Sequence, residues 1–162
     1  MSHPEVGVDD PRRGAPWVVA LIKYMSRANT WAYKASGGRF GGSWRVGSAL
    51  RAPVPVCLLT TTGRKSGELR TVPLLHFPDG DRVLLVASQG GLPKHPAWYF
   101  NIRANPEVTV QVGRRVRTMR ARELTPEERA EWWPKLVDRY ADFADYQANT
   151  SRVIPVVVCE PA

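Results

Sequence analysis

Residues 57–101 read C-L-L-T-T-T-G-R-K-S-G-E-L-R-T-V-P-L-L-H-F-P-D-G-D-R-V-L-L-V-A-S-Q-G-G-L-P-K-H-P-A-W-Y-F-N, and the order of residue types in this stretch decides the fold. Alternating and β-branched runs predict strands over Val54–Thr61, Leu69–Phe77 and Val83–Ser88. The first two are joined by a basic glycine-flanked turn. The next two are joined by P-D-G-D, a strong hairpin signal. A Gly-Gly loop then leads into a short helix over Pro96–Ala104.

Further along, Val108–Val112, Arg117–Glu123 and Val153–Val158 carry the same strand pattern, with Pro155 marking an edge or a strand start. T-P-E-E opens a helix over Thr125–Tyr140, with Thr125 as N-cap, Pro126 at N1 and acids in the first turn. Pro134 should kink that helix or divide it into two. About six short strands with few helices predict a closed or partly closed antiparallel barrel, a mainly β chain of α+β class.

Upstream, residues 1–13 have little to bury and are expected to be a disordered tail. A helical stripe follows over Ala15–Lys34, through Trp17, Leu21, Tyr24, Met25, Ala28, Trp31 and Ala32. It reads either as a helix packed on the domain or as a basic amphipathic helix in a membrane interface. S-G-G-R-F-G-G-S then breaks the helix and suggests a mobile loop. The expected organisation is tail 1–13, helical arm and Gly-rich loop 14–50, and barrel 51–162.

Composition narrows the function. The 162 residues carry a net charge of +8 and 43% hydrophobic residues, without an apolar run long enough for a transmembrane helix. A polar, acidic N-terminus argues against a secretory signal, so a cytoplasmic setting is expected. Cys57 and Cys159 are isolated in apolar runs and read as buried thiols. His3, His76 and His95 lack metal-ligand spacing, so no metal is expected, and His76 reads as a satisfied structural histidine. The positive charge favours an anionic partner. No zinc-finger, basic-zipper or RNP-like signature supports nucleic acid.

T-T-T-G-R-K-S-G is not a triphosphate loop, because Arg64 stands where glycine must precede Lys65 and a strand follows. Gly63 and Gly67 can instead present backbone N–H groups to an anion. Arg64 and Lys65 add charge, Ser66 adds a hydroxyl, and Arg70 can fork onto phosphate or carboxylate. The bland alternative is a solvated hairpin. Small residues Ala87, Ser88, Gly90 and Gly91 at a strand end let a flat ring approach the backbone, with Trp98 and Tyr99 as walls or as core. Tyr140, Phe143 and Tyr146 recur every three residues and read equally as core or as the roof of a substrate pocket.

These segments, with P-A-W-Y-F-N-I-R-A-N-P-E-V, the ending I-P-V-V-V-C-E-P and, more loosely, M-S-R-A-N-T-W-A-Y, resemble the deazaflavin-dependent nitroreductase family over Pro55 to Pro161. The resemblance implies a split β-barrel of the flavin-reductase and pyridoxamine-phosphate-oxidase type. It also implies the 8-hydroxy-5-deazaflavin coenzyme (coenzyme F-420), with its phosphate and polyglutamate tail. By position, Arg64, Lys65, Ser66 and Arg70 would hold phosphate and tail, while Thr71, Val72 and Pro73 would line the cofactor strand. Val86, Ala87, Ser88 and Gln89 would border the deazaflavin. Ala97, Trp98, Tyr99, Phe100 and Asn101 would complete that site, with Trp98 against the ring system.

Ser88, Tyr140, Phe143 and Tyr146 would face the substrate, with Ser88, Tyr140 and Tyr146 as catalytic candidates. Gln89 stands where nitro-reducing members carry Lys, and Phe143 where they carry Tyr. The resemblance therefore implies hydride transfer to a quinone or nitro-aromatic acceptor, menaquinone-like in the leading case. The N-terminal helix would touch the membrane peripherally from the cytoplasmic side. The rival readings are a flavin-mononucleotide reductase of the same barrel class and a non-catalytic nucleic-acid-binding or cofactor-carrier module.

Overall fold

The computed structural model describes residues 27–44 and 53–162. The expected tail and the first part of the expected helix lie outside them. The helix over 27–36 (α1) is followed by β1 (Ser43–Trp44), β2 (Val54–Thr62), β3 (Leu69–Leu75), β4 (Phe77–Asp79) and β5 (Arg82–Val86). Then come α2 (Ala97–Ala104), β6 (Glu107–Val112), β7 (Arg115–Glu123), α3 (Pro126–Arg139), α4 (Asp142–Ala148) and β8 (Val156–Pro161). All strand pairs are antiparallel, in the order β1-β2-β6-β7-β8-β5-β4, with β3 on the other side of β2. β3 returns beside β5, so the sheet curls into a barrel with a seam there. This is the split β-barrel expected from the sequence.

Strand periodicity explains how one sheet serves three cores. Successive side chains point to opposite faces. Cys57 and Leu59 of β2, Val83 and Leu85 of β5, and Val157 and Cys159 of β8 point inward with Val108, Val110, Met119 and Ala121. The neighbours between them point outward. Leu84, Val86, Val156 and Val158 meet Leu136 of α3, Tyr140 and Phe143 in a second cluster. Val56 and Leu58 meet Tyr33 of α1 in a third. Each buried Val or Leu contributes about 1.5–3 kcal/mol, so the strands are held from both sides.

Several boundaries differ from the sequence reading, among them the last strand, which runs over Val156–Pro161 rather than the expected Val153–Val158. The expected strand Leu69–Phe77 changes partner at His76: β3 pairs with β2, and β4 pairs with β5. Of the kink or division expected at Pro134, the division is not seen: α3 runs as one helix from Pro126 to Arg139. Ala130 and Pro134 are both exposed, so the carbonyl that proline leaves without a donor faces water. The expected mobile loop is a chain of turns ending in β1. It is tied by Gly38 N–H to Tyr33 O (2.9 Å) and by Val56 N–H to Gly42 O (2.9 Å). Tyr33 Oη accepts from Gly113 N–H (2.6 Å), fastening α1 to the β6–β7 hairpin.

Candidate active site

The basic turn between β2 and β3 is built, not merely solvated. Gly63 N–H donates to Glu68 O (2.7 Å) and Gly67 N–H to Gly63 O (2.8 Å), with Gly67 at φ +73°. A Cβ on Gly63 would sit 2.7 Å from Ser66 Oγ, which can rotate away, and 3.1 Å from Glu68 O, so the turn leaves little room there. Asn101 of α2, 6% exposed, accepts from Arg64 N–H through Oδ1 (3.1 Å) and donates through Nδ2 to Thr61 Oγ1 (3.0 Å). The Arg64 guanidinium lies over the Phe100 ring, 4.8 Å from its centroid. Arg64, Lys65 and Arg70 are exposed, and Ser66 Oγ accepts from Glu68 N–H (3.2 Å). Arg70 pairs with Glu68 at 2.9 Å, a solvent-exposed bridge that a stronger anion can displace. Three cations on a rigid turn fit the phosphate and carboxylates of a tailed cofactor.

On the outgoing strand, Thr71 Oγ1 bonds Thr60 Oγ1 (2.8 Å), while Val72 packs against the barrel interior. Pro73 stands opposite Leu58 on a strand whose one ladder among the described residues is to β2, where a missing N–H is tolerated. Across the seam, the strand-end loop begins at Ala87. Ser88 is half-buried, and Gln89 takes φ +45°, the only positive value for a non-glycine among the described residues. A Cβ on Gly91 would sit 2.8 Å from Tyr146 O, so the loop rests directly on α4. That contact seats the loop following Ser88 on the Tyr146 backbone, while the Tyr146 side chain packs on the second core cluster. Val86, by contrast, turns its side chain into the second core cluster and can offer a ligand only its backbone.

Two expected ring walls are core. Trp98 (6% exposed) and Tyr99 (4%) point into the barrel with Ile102, while Ala97 is exposed and Phe100 is half-buried at the edge of the same cluster. Trp98 therefore does not stand free against a ring; Phe100 is the aromatic beside the basic turn. Tyr99 Oη donates to Glu123 Oε2 (2.6 Å), and burial together with this bond raises its pKa. Tyr140 (3% exposed) and Phe143 (2%) likewise belong to the second core cluster, where Phe143 meets Phe77 and Trp133 edge-on or tilted. Only Tyr146 of the three is half-buried, and its hydroxyl lies 3.2 Å from that of Tyr140.

Sequence reasoning missed Arg152. Its Nη2 donates to Ser88 O (2.8 Å), Nη1 to Ala87 O (3.2 Å), and Nε to Leu92 O (2.9 Å). Nη1 also lies 2.9 Å from His95 Nδ1. Burial lowers the pKa of this guanidinium, and burial with the Arg152 charge lowers that of His95. His95 thus accepts at Nδ1. His76 is buried, and among the described residues its Nδ1 has no partner; burial lowers its pKa, opposed by a hydrogen bond to the Pro55 backbone. Cys57 and Cys159 are free and buried, as expected; burial raises both thiols, Cys159 to about 12.

A split barrel with a cationic turn and a close-approach strand-end loop has the features expected of a cofactor-binding oxidoreductase of this barrel class. The chain belongs to the F420H(2)-dependent quinone reductase family, whose profile matches residues 25–161. Among relatives, Rv3178 of Mycobacterium tuberculosis is 43% identical over 117 residues, 72% of this chain and 98% of that protein. The F420H(2)-dependent quinone reductase Rv1261c of the same organism is 40% identical over 121 residues, 73% of this chain and 81% of that one. A solved structure of an F420-H2 dependent reductase (FDR-A) is 50% identical, with TM-score 0.61, over 65% of this chain and 94% of that one. The expected family, the deazaflavin cofactor and the assignment as an F420-dependent quinone reductase all stand.

Proposed function

We propose that this enzyme reduces a menaquinone-like acceptor held between the Ser88 loop and Tyr146, with nitro-aromatic compounds as poorer acceptors. The observation carrying this reading is the seating of Gly91 on the Tyr146 backbone, which packs the loop that follows Ser88 against α4. When bound, the reduced deazaflavin supplies the hydride. The chain's own residues orient and polarise. Arg64, Lys65 and Arg70 fix the acidic tail, and Asn101 keeps that turn in register with α2. Ser88 and Tyr146 serve as donors to the acceptor oxygen on which negative charge develops. Tyr140 acts behind Tyr146 through the hydroxyl pair, and Phe143 packs beneath both as support. Gln89 and Phe143, which lack the cation and hydroxyl of the nitro-reducing pattern, favour quinone over nitro substrates.

Peripheral membrane contact from the cytoplasmic side is part of the same proposal, since a quinone of this class is lipid-soluble. Among the described residues no helix is long and apolar enough to cross a membrane. Trp31 is 73% exposed on α1, flanked at i−4 and i+3 by Arg27 and Lys34, an arrangement suited to an anionic bilayer surface. Tyr146→Phe should lower quinone turnover by roughly 10–100-fold, the scale of one lost charge-stabilising donor, with cofactor affinity unchanged. Equal turnover by Tyr146→Phe, Ser88→Ala and the unaltered enzyme would remove these two residues from the proposal.

A further inference from the structure

Three stretches of one loop meet at Arg152, and all of them are distant from it in sequence. Its guanidinium spans Ala87 O and Ser88 O at the start of the strand-end loop, Leu92 O near its middle, and His95 Nδ1 at its end. The Arg152 carbonyl accepts from Gln147 Nε2 (2.8 Å), and Gln147 Oε1 in turn accepts from Ile154 N–H (2.9 Å) and Arg129 Nη2 (3.1 Å). The arginine is therefore anchored to α3 and α4 from behind while it grips both legs of the loop in front. That grip opposes a backbone that resists its own shape, because Gln89 carries a side chain at φ +45°.

Beyond the loop, the contact continues through aromatic rings to the cationic turn. His95 packs on Tyr99 (centroids 4.8 Å apart) and edge-on to Phe100 (5.8 Å), and Phe100 lies under Arg64 (4.8 Å). The two sides of the seam are thus joined by Arg152, His95, Phe100 and Arg64 in series.

We propose that Arg152 is a positioning residue that sets the Ser88 loop against Tyr146 and, through His95 and Phe100, aligns that loop with the basic turn. The proposal rests on the deazaflavin and quinone reading of this site, and it assigns Arg152 no contact with the reacting atoms. Lysine cannot substitute. Its compact ammonium keeps the charge but cannot span three separated carbonyls and a ring nitrogen as the planar fork does. His95 must stay neutral at Nδ1 to accept, and the groups facing it are Arg152, Glu123, Arg103 and the Tyr99 ring.

The test uses the full chain, calorimetric titration with oxidised coenzyme F420, quinone turnover, and NMR titration of the His95 ring in the cofactor-free protein. Arg152→Lys and Arg152→Gln should each weaken cofactor binding about tenfold or more, as expected on losing several charge-assisted hydrogen bonds, and should lower kcat further than KM explains. Arg152→Gln should also move the His95 titration midpoint upward, because a neighbouring cation is gone. Should Arg152→Gln fail to fold, His95→Phe keeps the ring stack, removes the acceptor and should weaken binding in the same direction. Lysine restoring full affinity and turnover, or an unmoved His95 midpoint, overturns the proposal. Failure of the unaltered chain to bind the cofactor overturns the underlying functional reading instead, since the NMR arm needs no ligand.

Discussion

Asn101 does at residue scale what the turn cannot do for itself. One buried amide fixes Arg64 N–H and Thr61 Oγ1, so the first cation of the turn is held by a helix. Asn101→Ala leaves both partners without that bond and should cost about 1–3 kcal/mol of stability. Thermal unfolding measures that loss, and titration should find weaker cofactor binding. The sequence marks Asn101 as a site residue, yet its work as a brace shows only once α2 docks on β2. Trp98 shows how a helix face decides between two readings the sequence leaves open. A tryptophan after a glycine loop reads as a ring wall or as core, and its position with Tyr99 and Ile102 on one helix face sends it into the barrel.

At element scale, the helix start over T-P-E-E was fully legible. Thr125 Oγ1 accepts from Glu128 N–H (3.2 Å), and Glu128 Oε2 accepts from Thr125 N–H (2.8 Å), a reciprocal cap. Glu128 is held at about 2 first by hydrogen bonds from Arg122, then by the Thr125 backbone. Thr125→Ala keeps the Arg122 contact, so the loss should be about 1 kcal/mol, read as a fall in Tm of about 2–4 °C for a chain of this size. Strands were legible because alternation is local. Their partners were not: nothing around His76 in the sequence says that the ladder passes from β2 to β5. Arg152 was invisible for the same reason, since every loop atom it holds is 57 or more residues away.

For the whole molecule, two histidines set a pH limit. Burial lowers His76, and burial with Arg152 lowers His95, so both are neutral when folded while the unfolded chain protonates near 6.5. The unfolded state therefore binds more protons below that pH, and stability, fully present above about 6.5, is lost as pH falls toward the folded values. Tm should be flat from pH 7 to 8 and decline below pH 6, before the Glu128 pair is lost near its own value of about 2. Replacing His76 with Gln should reduce the slope if the fold tolerates it; an identical slope would remove His76 from this explanation.

The central claim is that an acidic tail, gripped by the β2–β3 turn, is what brings a flat hydride donor to the seam. It is tested most directly by comparing dissociation constants for intact coenzyme F420 and for its tail-less chromophore, in the unaltered chain and in Arg64→Gln/Lys65→Gln/Arg70→Gln. With roughly 1 kcal/mol per cation, the triple substitution should weaken the intact cofactor about 100-fold and leave the tail-less chromophore nearly unaffected. Equal affinity of the triple variant and the unaltered chain for the intact cofactor would contradict the account.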